Sequence, residues 1–176
     1  MGGLWPSSPG LDMTLVSENE YDGGVAGDGN LTKVTLHPDA SAAHDRVTQM
    51  LYDWRDRLFA VASGVNITYS ELDNLGRAVR TMVYEPTAAI GTTSGVPHNP
   101  SSNDAKMRSM TRTEYDARGR VYKSTMFAVD GVSGASSDPQ DEAGMDKLVS
   151  GYWYDQRDNL VKTSNPGGLA GKTEYD

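Results

Sequence analysis

Asp22-Gly23-Gly24-Val25-Ala26-Gly27-Asp28-Gly29-Asn30 gathers two carboxylates, a side-chain amide and four glycines into nine residues. Oxygen donors on so flexible a segment suit a hard cation, which makes Asp22, Asp28 and Asn30 the candidate calcium ligands. Their spacing matches no EF-hand loop, and the same residues suit an enlarged hairpin turn. The three histidines, His37, His44 and His98, stand far apart, without His-x-x-x-His or His-Glu-x-x-His spacing. Each is expected to face solvent from a loop or strand end. No serine sits in Gly-x-Ser-x-Gly, and Gly91-Thr92-Thr93-Ser94-Gly95 lacks the strand-turn-helix setting of a nucleophile elbow. With no convergent acid, base and nucleophile, the chain reads as non-catalytic and without a cofactor. Trp54, Tyr152, Trp153 and Tyr154 could present rings to a sugar, although aromatic residues beside turns more often pack. Asn30-Leu31-Thr32 and Asn66-Ile67-Thr68 fit the glycosylation pattern.

The elements that hold these residues recur. Tyr115-Asp116-Ala117-Arg118-Gly119-Arg120-Val121 returns as Tyr154-Asp155-Gln156-Arg157-Asp158-Asn159-Leu160 and as Tyr52-Asp53-Trp54-Arg55-Asp56-Arg57-Leu58. Leu72-Asp73-Asn74-Leu75-Gly76-Arg77-Ala78 keeps the turn and loses the tyrosine. Tyr21-Asp22 opens a copy with extra residues before Asp28-Gly29-Asn30-Leu31, and Tyr175-Asp176 opens a last one. The copies begin at 21, 52, 72, 115, 154 and 175, at intervals of 31, 20, 43, 39 and 21 residues. A period of about twenty, single or nearly doubled, marks an array of one small unit. Residues 1–18 form a partly irregular segment ahead of the array, which runs over 19–176. The stretches 86–104 and 130–144, rich in Gly, Pro, Ser and Asp, read as loop insertions on its rim.

Each unit is expected to be a hairpin. Asp at the first turn position accepts hydrogen bonds from the amides that follow, and Gly at the fourth tolerates positive φ, the chemistry of a type I turn closed by a glycine bulge. Before the Tyr115 turn, Met107, Ser109, Thr111, Thr113 and Tyr115 alternate with Arg108, Met110, Arg112 and Glu114. After it, Val121, Lys123, Thr125, Phe127 and Val129 alternate with Arg120, Tyr122, Ser124, Met126 and Ala128. Val, Thr and Tyr fill these runs as strands prefer, but neither face is cleanly apolar, so each hairpin should be half wet. Val47, Met50, Leu51 and Trp54 fall at helical spacing after Asp39 and Ser41; the turn at Asp53 nonetheless favours a strand there. Short helical turns are open alternatives over 102–107 and 142–147. Five of the nine tyrosines occupy motif positions, which points to a repeated packing role: ring over the hairpin, hydroxyl to solvent or a neighbouring turn.

Composition narrows the function classes. Hydrophobic residues are 37%, with 19 Gly and 8 Pro, lean for a compact core and ordinary for a turn-rich β array. A net charge of −8 argues against non-specific nucleic-acid or anionic-membrane binding. Without cysteine there is neither a disulfide framework nor a thiolate metal site. No segment approaches a membrane span, and Met1-Gly2-Gly3-Leu4-Trp5-Pro6 lacks the basic and apolar regions of a signal peptide.

The Tyr-Asp turn followed by Gly-Arg-Val, or by its variants, resembles the YD repeats of rearrangement hotspot (Rhs) proteins and the related teneurins and toxin-complex C components. That resemblance implies an all-β fold of tandem hairpins coiled into part of a β-spiral shell. It also implies a secreted or cell-surface parent, whose shell encloses and delivers a C-terminal effector, and it makes the rest of that shell and its cargo the partners. The repeat positions it assigns are Tyr21, Asp22, Gly29, Tyr52, Asp53, Asp73, Gly76, Arg77, Tyr115, Asp116, Gly119, Arg120, Tyr154, Asp155, Asn159, Tyr175 and Asp176. Asn165-Pro166-Gly167-Gly168-Leu169-Ala170-Gly171 is similar to the stretch at which family shells are cleaved, but Asn stands for the required Asp and another Tyr-Asp follows, so a Pro-Gly turn is expected. The alternative is an extracellular module whose repeat surface binds carbohydrate or protein.

Overall fold

In the computed structural model the described residues are 15–39, 41–86, 106–129 and 146–175. They form eleven antiparallel strands in one sheet, in which neighbours along the chain are neighbours in space. The strands are β1 (Ser17–Tyr21), β2 (Leu31–Leu36), β3 (Arg46–Tyr52), β4 (Leu58–Ala62), β5 (Ile67–Leu72), β6 (Ala78–Tyr84), β7 (Met107–Tyr115), β8 (Val121–Phe127), β9 (Lys147–Tyr154), β10 (Leu160–Ser164) and β11 (Ala170–Lys172). The fold is therefore all-β, a meander of hairpins. Every Asp-led turn of the repeat joins an odd strand to the next even one, so these turns fall on one edge of the sheet. The remaining connections fall on the other edge. The stretches 86–104 and 130–144, expected to be loop insertions, fall in sequence between β6 and β7 and between β8 and β9, and apart from Pro86 they lie outside the described residues.

Local preference loses where the ladder competes. The helical spacing of Val47, Met50 and Leu51 is overridden by β3, which pairs Gln49 with Lys33 on one side and with Ala62 on the other. The capping chemistry ahead of it yields one short 3-10 turn, Ala42–His44, with the Ser41 N–H donating to Asp39 Oδ1 at 2.8 Å. Strand begins at Met107 and at Lys147; most of the two segments weighed as helical turns lies outside the described residues.

The core lies on one face of β4 to β8. Ala60, Tyr69, Met82, Met110 and Phe127 stand opposite one another in successive strands, and Ile67, Tyr84 and Met107 form the adjoining row. All eight are buried, and a fully buried side chain of this kind contributes about 1.5 to 3 kcal/mol. Strict alternation places Met107 on the face opposite Met110. The structure corrects this: the register shifts between Val83 and Tyr84, so Arg108 is the extra residue of a bulge and Met107 turns to Tyr84 in the same core. Nearer the Asp-turn edge the same face becomes charged, with Glu71, Arg80 and Arg112 in one row and Arg80 bonded to Glu71 at 2.8 Å. The opposite face of β5 to β7 carries Thr68, Ser70, Thr81, Ser109, Thr111 and Thr113, all half-buried.

Candidate functional site

The Asp-turn edge repeats one geometry four times. In each turn the Asp N–H donates to the carbonyl four residues on, and the residue at the fourth position donates back to the Asp carbonyl: Asp53 with Arg57 and Asp56, Asp73 with Arg77 and Gly76, Asp116 with Arg120 and Gly119, Asp155 with Asn159 and Asp158. The strand pairing shifts register beside every one of them, as a bulge-closed turn requires. The fourth position has positive φ, at +81° in Gly76 and +83° in Gly119, but Asp56 and Asp158 hold the same conformation at +57° and +69°.

The carboxylate organises the loop. Oδ1 of Asp116 accepts the N–H groups of Arg118 and Arg120 at 2.9 and 3.0 Å, while Oδ2 takes Nε and Nη2 of Arg120 at 2.7 and 2.6 Å. Asp53 does the same with Arg57, and Asp73 with Arg77. In the Asp155 turn the Asn159 amide replaces the guanidinium, at 2.9 Å. These contacts hold four carboxyls below their ordinary range. At Asp116 the Arg120 side chain is the main cause, at Asp155 the Asn159 side chain, and at Asp73 the Arg77 N–H. At Asp53 burial pulls the other way and is outweighed by Arg57 and the Arg55 N–H.

Between turns, two kinds of contact link neighbouring hairpins. The tyrosine reaches back: the hydroxyls of Tyr52, Tyr115, Tyr154 and Tyr175 donate to the carbonyls of Leu31, Ala78, Val121 and Leu160 at 3.0, 3.0, 2.8 and 3.3 Å. Each acceptor is the first residue of the neighbouring even strand. The arginine reaches forward. Arg57 Nη1 donates to the Asp73 carbonyl at 2.5 Å, and Arg120 Nη1 to that of Asp155 at 3.3 Å. The guanidinium of Arg77 lies 4.5 Å over the Tyr115 ring and that of Arg120 4.6 Å over the Tyr154 ring, within cation–π range. Arg55 and Arg118 add forward bonds to the Asn74 and Gln156 carbonyls.

Some participants escaped sequence reasoning. Arg57, Arg55 and Arg118 belong to the edge although only Arg77 and Arg120 were expected; the recurrence of Arg four residues after Asp was the available signal. Asp56 and Asp158 have a purpose beyond the turn, since Asn30 Nδ2 donates to Asp56 at 2.7 Å and Arg118 and Arg120 both meet Asp158. Leu72 stands where a tyrosine would, so the Asp73 hairpin lacks the backward hydroxyl. Tyr21, in the first hairpin, is half-exposed. Asp176 and His98 lie outside the described residues.

Of the candidate calcium ligands Asp22, Asp28 and Asn30, Asp22 and Asn30 are engaged in the turn. Asp22 Oδ2 and Oδ1 accept the N–H groups of Gly29 and Asn30 at 2.8 and 2.9 Å, and the Asn30 side chain points to the next turn. No three His, Cys, Asp or Glu side chains gather around a cation site among the described residues. The histidine expectation needs correction at His37, whose side chain is 18% exposed and bonded to Asp45 at 2.9 Å, with Nε2 buried and without a hydrogen-bond partner among the described residues. The connection between β2 and β3 brings Asp45 to the ring. His44 is exposed and bonds Asp39. Asn165-Pro166-Gly167-Gly168 forms the turn between β10 and β11, with the Asn165 N–H donating to the Leu169 carbonyl at 2.7 Å.

No family model matches the chain, and no curated protein matches it. Among solved structures it is similar to a chain of the Photorhabdus luminescens Tc holotoxin pore, at 13% identity and a TM-score of 0.40. That likeness covers 91% of this chain and 10% of the other, so this chain spans about a tenth of the length of the one it matches.

Proposed function

We propose that the chain is a stretch of non-catalytic wall from a YD-repeat shell, whose parent encloses an effector and delivers it outside the cell. The observation that carries this reading is the constancy of the Asp-turn edge. Hydroxyl-to-carbonyl bonds from Tyr52, Tyr115, Tyr154 and Tyr175 meet the same structural position in each preceding hairpin. Contacts of this kind join one unit to the next without end, which is what a wall requires and a catalytic site does not. The second edge, where connections vary in length and chemistry, is free to meet other parts of an assembly.

Sequencing the coding region on both sides tests the proposal. Further Tyr-Asp copies in frame, leading to a variable C-terminal effector segment, are expected. Flanking sequence with no such copies would overturn it.

A further inference from the structure

The sheet keeps its charged side chains on the face where its core lies. From β4 to β9, Glu71, Arg80, Arg112, Glu114, Lys123 and Lys147 all stand on that face, and Arg108, at the bulge, is paired with Glu85. The opposite face of these strands carries no other charge. Its middle row is Ser70, Thr81, Thr111, Met126 and Leu148, each opposite the next on β5 to β9. Val83 and Ser109 flank that row on one side, Ser124 and Ser150 on the other. An antiparallel sheet with one packed face ordinarily turns its charges to the other, toward water. Here the face turned away from the core offers hydroxyls, methyls and a thioether.

This face is open. Met126 and Leu148, directly opposite one another on β8 and β9, are 53% and 56% exposed. With strands about 4.8 Å apart and successive residues of one face about 6.8 Å apart, six strands and three rows span about 29 by 20 Å. Two such faces laid together cover about 1,200 Å2, the lower limit for a specific contact between proteins.

We propose that two copies of this chain pair through these faces about a two-fold axis, as the layers of a β-sandwich do. A two-fold contact sets one patch against itself, so a patch of a single charge would meet its own sign. Copies that carry −8 each can approach closely only where charge is absent. Hydroxyls raise no such conflict, because each Ser or Thr is both donor and acceptor and can bond its counterpart. Met126 and Leu148 supply the apolar centre. A partner of strong charge finds nothing on this face to attract it. The contact uses the face of the sheet, whereas the wall reading rests on links along the Asp-turn edge, so either can fail alone.

Sedimentation equilibrium of the chain from about 1 to about 200 μM, which spans the affinities of a contact at the lower size limit, is the test. A monomer–dimer equilibrium is expected. Met126→Glu and Thr111→Lys put charges of opposite sign on the face, and each should raise the dissociation constant at least about tenfold. One adds to the net negative charge and the other reduces it, so general repulsion cannot produce both effects. Lys33→Glu, on the core face of β2, alters the net charge more than either and should leave the dimer intact. Thermal melts of each variant separate unfolding from lost pairing. A monomer at every concentration, growth beyond the dimer, or equal weakening by Lys33→Glu would overturn the proposal. So would a dimer that survives both Met126→Glu and Thr111→Lys, since its contact would then lie elsewhere, as at an open strand edge.

Discussion

The two edges of the sheet obey different rules. On the Asp-turn edge four turns use the same backbone bonds and the same carboxylate, and three of them the same guanidinium. On the second edge the described connections differ from one another: Ala42–His44 with the His37–Asp45 pair, a tight turn in which the Ser63 N–H meets the Asn66 carbonyl, and the Asn165 Pro-Gly turn, which repeats the backbone bonds of the Asp turns without their carboxylate. The first edge also joins hairpins to one another, through tyrosine backward and arginine forward, whereas the described connections of the second are closed by their own bonds, apart from the His37 N–H, which donates to the Val16 carbonyl at 2.9 Å. An array can therefore lengthen its loops on one side while keeping its period on the other.

That contrast sets the expected effects of substitution. Tyr115→Ala removes a half-buried ring, its hydroxyl bond to Ala78 and the seat of Arg77, and should cost about 1 to 3 kcal/mol in urea melts. Tyr115→Phe, which loses only the hydroxyl, should cost about 1 kcal/mol. Inserting a short Gly-Ser segment after Gly64, on the second edge, should be tolerated within about 1 kcal/mol. The same segment after Ala117 breaks the Asp116 turn and its link to Asp158, and should cost more by at least about 1 kcal/mol. Equal melting of the two insertion variants would erase the distinction between edges.

Leu72→Tyr probes the copy that lacks the backward hydroxyl. A tyrosine there is positioned to reach the Leu58 carbonyl and to lie under Arg57, and should raise stability by about 0.5 to 1 kcal/mol. An unchanged melting curve would mean that the backward bond contributes nothing at that site. Acid has the smallest effect per site, since the turn carboxylates are screened by solvent. The carboxyls of Asp53, Asp73, Asp116 and Asp155 lie below their ordinary value in the folded chain. Their contribution is thus complete above the unfolded carboxyl pKa of about 3.9 and is lost as pH falls through the lower folded values. Melting temperature should hold from neutral pH to about pH 4 and decline below it.

Much of the Asp-turn edge was legible in the sequence, because its information is local. Asp at the first position and Gly at the fourth dictate backbone bonds within five residues, and β-branched runs on either side supply the strands. What was not legible depends on partners distant along the chain. The acceptor of the Tyr115 hydroxyl lies 37 residues away, and no spacing within one copy names it. The bulge that turns Met107 into the core arises from its pairing with Tyr84 across a long connection, so alternation placed it on the wrong face. His37 looked like a solvent-facing residue because its partner Asp45 is brought to it only by the turn between them. Trp153 was visible as an aromatic residue; that its ring lies against Gly151 follows from side-chain direction along β9.

The central claim is that neighbouring hairpins are energetically joined at the Asp-turn edge. A double-mutant cycle between Arg77 and Tyr115, with Arg77→Ala, Tyr115→Leu and the double variant compared by urea unfolding, tests it most directly. These residues belong to consecutive hairpins and meet through a guanidinium 4.5 Å above a phenol ring. Joined hairpins predict a coupling of about 0.5 to 1 kcal/mol. Additivity of the two single changes, within about 0.3 kcal/mol, would contradict the claim and reduce the edge to a row of independent turns.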